Sequence, residues 1–268
     1  MASKEYISAL EKNKNRITIT PGESLKPYLN GDFFVEYDSP FDLSNIGDEV
    51  ACIPFVLSTA AIVWCSGETL HLDKLDANLA ERLPAIKKEY ENMYPTIHWD
   101  GEILVNHKVN AVSSQGLDGM LFSGGLDSIH SALTIQGEKY LFTINGADSK
   151  LNAEYPWKFM KSHTLDFVKK YHHQPVFVYS NFKEFLNVPI LHSWHREITH
   201  WYSHVQFGPA LIGLTAPIMY KGGGNILYIS SGGQTHNLVR GWGSSKLLDE
   251  QVNFGNVTVH HYGNHTRM

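Results

Sequence analysis

Between residues 119 and 132 the chain reads Gly119-Met-Leu-Phe-Ser-Gly-Gly-Leu-Asp-Ser-Ile-His-Ser-Ala132, an apolar strand followed by a Ser-Gly-Gly turn and a helix start. Two consecutive glycines let a backbone bend sharply and approach an anion, while the first amides of a helix point outward with partial positive charge. Such a turn suits phosphate. Ser123 and Ser128 add hydroxyls, and Asp127, a carboxylate beside an anion site, fits a Mg²⁺ ion held between it and phosphate oxygens. A Walker loop is excluded, because no Gly-x-x-x-x-Gly-Lys-Ser/Thr string occurs.

Positioning such a turn requires a sheet edge. From about residue 109 short apolar runs alternate with helical stretches, the order of an α/β parallel sheet. Strands are expected at Gly119–Phe122, Tyr140–Ile144, Val176–Tyr179, Ile226–Ser230 and Val257–His260. Ile129–Ile135, Glu154–Tyr171 and Glu197–Tyr220 are the expected crossover helices, the last divided in two by Pro209 and Pro217. In such a sheet the loops after the strands emerge at one carboxyl edge and converge on one cleft.

The string Ser123-Gly-Gly-Leu126-Asp-Ser128, after a strand and before a helix, resembles the pyrophosphate loop of the N-type ATP pyrophosphatases. That superfamily includes asparagine synthetase, NAD synthetase, GMP synthetase, the cyano-deazaguanine synthase and several tRNA thiolases. The resemblance covers roughly residues 115 to 268. It implies a five-stranded parallel, Rossmann-like sheet with helices on both faces, on which ATP is cleaved between its α- and β-phosphates. It further implies nucleotide contacts from Ser123, Gly124, Gly125, Leu126 and Ser128, and from Asn145 and Asp148 of the Asn145-Gly-Ala-Asp148 segment after the second strand. Ser231 and Gly232, in the Ser230-Ser-Gly-Gly233 turn after the fourth strand, belong to the same set. The stretch Arg240-Gly-Trp-Gly-Ser-Ser-Lys-Leu-Leu-Asp249 resembles a Trp-Gly-Ser…Leu-Asp element of pyrophosphate-loop proteins, with Arg240 and Lys246 as cations for the leaving pyrophosphate. Solvated surface cations and ordinary polar turns are the alternative readings of these later segments.

Residues 1–108 read as a small accessory α+β domain, leaving 109–268 as the nucleotide domain. The first part holds an extended stretch at Asp32–Asp38, an apolar stretch at Ala51–Cys65 read as buried strand, and a helical pattern running from Leu72 to Met93, kinked or restarted at Pro84. The Ala51–Cys65 stretch falls short of the roughly 20 residues of a membrane helix. The N-terminus lacks a secretory pattern, so a cytoplasmic protein is expected.

With 22 Lys and Arg against 27 Asp and Glu, the net charge of −5 argues against charge-driven binding to nucleic acid or anionic membranes. Of the 15 histidines, His200 and His204 are spaced for one helical face, but no Cys-x-x-Cys or His-Glu-x-x-His accompanies them. Trp194, His195, Arg196 and Trp201 are instead candidates for a substrate pocket, as aromatic and cationic groups suit a planar or anionic substrate.

The expectation is an ATP-dependent enzyme using Mg²⁺ and forming AMP and pyrophosphate. It would activate a carboxyl or amide-type oxygen for attack by a nitrogen nucleophile, with Asp127, Lys246 and Arg240 as catalytic groups. A sulfur-inserting thiolase is one alternative, for which Cys52 and Cys65 are the available thiols, although their apolar setting suits buried structural cysteine. A non-catalytic adenine-nucleotide module is another. The acceptor is a small molecule, tRNA or peptide, and a homodimer or partner subunit is compatible with the sequence.

Overall fold

The computed structural model describes residues 7–111, 116–194, 197–230 and 241–263. Three strands near the N-terminus, β1 (Ala9–Lys12), β2 (Arg16–Thr20) and β3 (Phe33–Asp38), form an antiparallel meander whose alternate side chains, Ile17, Ile19, Phe33 and Val35, are buried. After the short helix α1 (Asp48–Ala51) comes α2 (Ile53–Ser66), in which every residue from Ile53 to Trp64 is buried. The expected strand at Ala51–Cys65 is therefore this helix. An all-round apolar segment has no period to separate strand from helix, and Pro54 sits in the first turn, where its missing N–H does no harm.

Next come β4 (Thr69–Asp76) and α3 (Ala77–Met93), and β4 pairs in parallel with β5 (Glu102–Val109) in a separate two-stranded sheet. The helical pattern expected from Leu72 thus begins only at Ala77, with Asp76 accepting the Leu79 amide as N-cap, and Pro84 lies inside one continuous helix.

The remaining chain runs β6 (Leu117–Leu121), α4 (Leu126–Thr134), β7 (Lys139–Asn145), α5 (Glu154–Tyr171), β8 (Gln174–Ser180), α6 (Val188–Trp194), α7 (Phe207–Gly222), β9 (Gly223–Ser230), α8 (Lys246–Asp249) and β10 (Thr258–Tyr262). The strands order as β1-β2-β3-β8-β7-β6-β9-β10. The five from β8 to β10 are mutually parallel, whereas β3 joins β8 antiparallel, with Val35 opposite Ser180. The expected five-stranded parallel sheet is corrected to an eight-stranded mixed one: the α/β class stands, and β1–β3 of the N-terminal part extend the same sheet, while β4 and β5 pair apart from it.

One face packs Met120, Phe122 and Leu141 against Ala132 of α4 and Val168 of α5; the other packs Phe142, Ile144, Val178 and Leu227 with α2 and α7 in the larger core. Asp76, buried between the two parts of the chain, accepts from the Tyr220 hydroxyl at 2.6 Å and from the amides of Leu79 and Gly255 at 2.9 and 3.0 Å. No helix of the described residues is long and apolar enough to cross a membrane.

The stretch expected as two helices between Glu197 and Tyr220 is a π-turn at Tyr202–Gln206 running directly into α7, which continues through Pro217. In an α-helix the carbonyls of Ser203, His204 and Val205 would take the amides of residues 207, 208 and 209. Residue 209 is proline and has no amide, the wider π register draws the Phe207 amide away, and the Gly208 amide turns aside to the Gly243 carbonyl at 2.5 Å. Each orphaned carbonyl finds another donor: Gly243 N–H for Ser203 (2.8 Å), the Tyr94 hydroxyl for His204 (3.0 Å) and the Tyr90 hydroxyl for Val205 (2.8 Å).

Replacing Tyr90 with Phe leaves the Val205 carbonyl buried and unpaired, so a loss of about 1–3 kcal/mol is expected in urea denaturation. Tyr94→Phe, at a less buried hydroxyl, is expected to cost less than Tyr90→Phe in the same measurement.

Candidate functional site

At the carboxyl end of β6 the chain turns through Ser123, Gly124 and Gly125 into α4. Gly124 has φ of 73°, a left-handed conformation that glycine adopts without strain, and the space around its Cα is open. The Gly125 amide donates to Ser123 Oγ at 3.2 Å, which closes the turn. Gly125 is the N-cap and has no side chain with which to cap the helix. Ser128 is buried, and its hydroxyl donates back to the Gly125 carbonyl at 2.9 Å and lies 3.5 Å from Ser123 Oγ.

The other end of α4 is closed by Lys139. Its buried ammonium donates to the carbonyls of Ile135, Gln136 and Gly137 at 2.6–2.8 Å, and burial pulls its pKa below the usual lysine value. The negative end of the helix dipole is thus compensated by protein, while the positive end faces outward.

The turn opens on a cleft of about 600 Å³. Strand order explains its place. The chain leaves β6 toward β7 and β8 on one side and later returns to β9 on the other, so β6 and β9 flank the switch point where parallel sheets form crevices. Ser123, Gly125, Leu126, Asp127 and Ser128 line the cleft from the turn, and Asp148 lines it from the loop after β7. Asn145 is not among the lining residues: it is buried, and its Nδ2 donates to the Leu151 carbonyl at 3.2 Å, shaping that loop from behind. Lys183 supports the same loop through the Ala147 carbonyl at 2.8 Å.

Lys246, at the start of α8, is exposed and is not among the lining residues. Arg240, Ser231 and Gly232 lie outside the described residues, as do His195 and Arg196. The other expected pocket residues play structural parts. Trp201 is buried edge-on to Trp194, His192 Nε2 accepts the Trp201 amide at 3.1 Å, and His200 Nδ1 bonds the Ser203 hydroxyl at 2.9 Å. Among the described residues no group of three or more His, Cys, Asp or Glu side chains is arranged to hold a metal ion.

On the β9 side the cleft is lined by Ser230, Phe207, Gly208, Leu211, Trp242 and Ser244. Trp242 is held between two glycines that fit nothing larger. A Cβ on Gly241 would fall 2.2 Å from the Tyr94 ring, and one on Gly243 would fall 2.8 Å from the Val205 backbone. Behind them Asp249, fully buried, accepts from the Ser244 hydroxyl and from His261 Nε2, each at 2.6 Å. Burial raises the Asp249 pKa, and the two donors oppose that rise. A Cβ on Gly208 would fall 1.9 Å from Asp249 Oδ1. Sequence reasoning named the Trp-Gly-Ser string of this segment but gave site roles only to its cations. The Gly-Trp-Gly pattern, a large ring pinned by two small residues, was the available signal; nothing in the spacing of Asp249 and His261 announces their contact.

Comparison with family models, with curated proteins and with solved structures gave no match.

Two glycine substitutions separate strain from crowding. Gly124→Ala adds only left-handed strain in open space, about 1–2 kcal/mol. Gly243→Ala must displace the π-turn backbone and is expected to cost about 1–3 kcal/mol from overpacking, with a change in tryptophan fluorescence from Trp242. Urea denaturation monitored by fluorescence checks both.

Proposed function

We propose that the chain is an ATP-dependent adenylating enzyme that forms AMP and pyrophosphate. The observation that carries this reading is the uncapped turn Ser123-Gly-Gly125 at the N-terminus of α4, opening on the cleft at the switch point of a parallel sheet. The resemblance of Ser123–Ser128 to pyrophosphate loops supports it. In this reading an acceptor oxygen attacks the α-phosphorus of ATP, the bond to the bridging oxygen breaks, and pyrophosphate leaves. A nitrogen nucleophile then displaces AMP from the activated acceptor.

The turn and the first amides of α4 hold the leaving pyrophosphate and stabilise the charge that builds on it. Ser123 adds a hydroxyl contact, while Ser128, whose proton goes to the Gly125 carbonyl, braces the turn from behind. Asp127 and Asp148, both lining the cleft, offer hard oxygen donors of the kind Mg²⁺ takes, and this ion is commonly held by one or two carboxylates together with substrate phosphates and water. Bound there, Mg²⁺ would neutralise phosphate charge. Within this proposal Asn145 acts by shaping the Asp148 loop, and Lys246 carries no direct contact. Positioning and electrostatics supply most of the rate.

Nitrogen is preferred over sulfur as the nucleophile because of the state of the two thiols. Cys52 is buried at the junction of α1 and α2 with its thiol donating toward the Lys74 carbonyl, and burial pushes its pKa far up. Burial likewise pushes Cys65 to about 12. Neither is poised as the thiolate that sulfur transfer requires.

Calorimetry with ATP and Mg²⁺ on the wild type and on Asp127→Ala tests the proposal together with product analysis. Mg²⁺-dependent binding weakened about tenfold or more in the variant, as expected for a lost charge-assisted contact, with AMP and pyrophosphate as products, is the expected result. Formation of ADP and phosphate, or no binding, contradicts it. Turnover retained after both cysteines are replaced by serine is expected on the nitrogen reading, and its loss favours the thiolase.

A further inference from the structure

The cleft has two unlike halves, one on each side of the Ser123–Gly125 turn. The β7 side presents Ile144, Ala147 and Met160 with Asp148, an apolar slot bearing one carboxylate. The β9 side presents Phe207 and Trp242 with Ser244. An adenylating reaction brings together a nucleotide and a second substrate, so the two halves invite separate assignments.

Trp242 remains 38% exposed although it is fixed on a segment bonded into the π-turn and flanked by glycines that admit no side chain. A large ring held rigidly at the mouth of a cleft loses little entropy when a flat partner covers it. Its ring and that of Phe207 stand 6.3 Å apart at 72°, forming a corner. A planar molecule in such a corner lies face-on to one ring and edge-on to the other, two favoured aromatic geometries.

Ser244 sets the polarity of that corner. Its hydroxyl proton is committed to Asp249, which is itself held by His261. The lone pairs that remain on Ser244 Oγ accept but do not donate. A ligand meeting this oxygen must therefore bring an N–H or O–H of its own.

We infer that the β9-side half of the cleft binds the second substrate, and that this substrate carries a planar ring with an N–H, packed against Trp242 and Phe207 and donating to Ser244. The assignment of the ring to a second substrate rests on the adenylation reading, whereas the ring site itself does not.

The test is ligand-observed saturation-transfer NMR on the full chain with benzimidazole and with N-methylbenzimidazole, whose methyl group blocks the N–H. Benzimidazole is expected to bind, and the methylated probe to bind about tenfold more weakly, as befits one lost hydrogen bond that leaves an acceptor unpaired. Trp242→Ala is expected to weaken benzimidazole about fivefold to tenfold. Ser244→Ala is expected to bring the two probes within about twofold of each other; should that variant fail to fold, the comparison of probes on the wild type decides. Saturating ATP with Mg²⁺ is expected to leave benzimidazole bound. Absence of binding, equal affinity for the two probes, indifference to Trp242→Ala, or displacement by ATP would each overturn the inference. ATP titration separates the two proposals: a ring site without ATP binding removes the adenylation reading alone, and ATP binding without the ring site removes this inference alone.

Discussion

Three carbonyls in a row, those of Ser203, His204 and Val205, lose their helical partners, and the way they are satisfied organises much of the molecule. Pro209 removes one donor outright and the π register displaces another. A buried carbonyl left unpaired is costly, so the chain must bring donors from elsewhere. Tyr90 comes from the last turn of α3 and Tyr94 from its C-cap, and the Gly243 peptide comes from the segment before α8. Satisfying one helix thereby ties residues 1–108 to the rest and fixes Trp242 and Ser244 at the cleft.

The sheet imposes the second constraint. Five parallel strands need crossovers, and crossing from β8 back over β6 to β9 leaves a crevice beside the β6 turn. Into that crevice α4 directs its N-terminus, while at its other end the Lys139 ammonium bonds the carbonyls of Ile135, Gln136 and Gly137 just past the helix. The helix N-terminus faces the cleft because α4 follows directly on the carboxyl end of β6. The antiparallel meander β1–β3 protects the β8 edge, which an all-parallel sheet would leave exposed.

Local signals made the parallel strands and α5 legible, since short apolar runs between turn residues, and a long amphipathic stretch, carry their own periods. The turn at Ser123–Gly125 was legible for the same reason: its chemistry lies in consecutive residues. Helix α2 was misread because a segment buried on all sides has no period. The β4–α3 boundary was missed because Leu72 and Leu75 happen to continue the helical spacing of Leu79 and Leu83 into a strand. Pairing of β3 with β8 joins residues some 140 positions apart, as Val35 with Ser180, and no local pattern encodes it. The same holds for Asp249 and His261, and for the insertion of Gly243 into the π-turn. Those contacts are decided by the packing of distant elements, and they shape the β9 side of the site.

The account stands on the claim that the Ser123–Gly125 turn and the first turn of α4 receive the β- and γ-phosphates of ATP. A crystal structure with Mg²⁺ and an ATP analogue carrying a methylene bridge between the α- and β-phosphates tests this most directly. The account predicts those two phosphates within hydrogen-bond distance of backbone amides of residues 124–128, with the Asp127 carboxylate on the metal side. Triphosphate bound elsewhere on the protein, or turned so that its γ-phosphate points away from this turn, would contradict it.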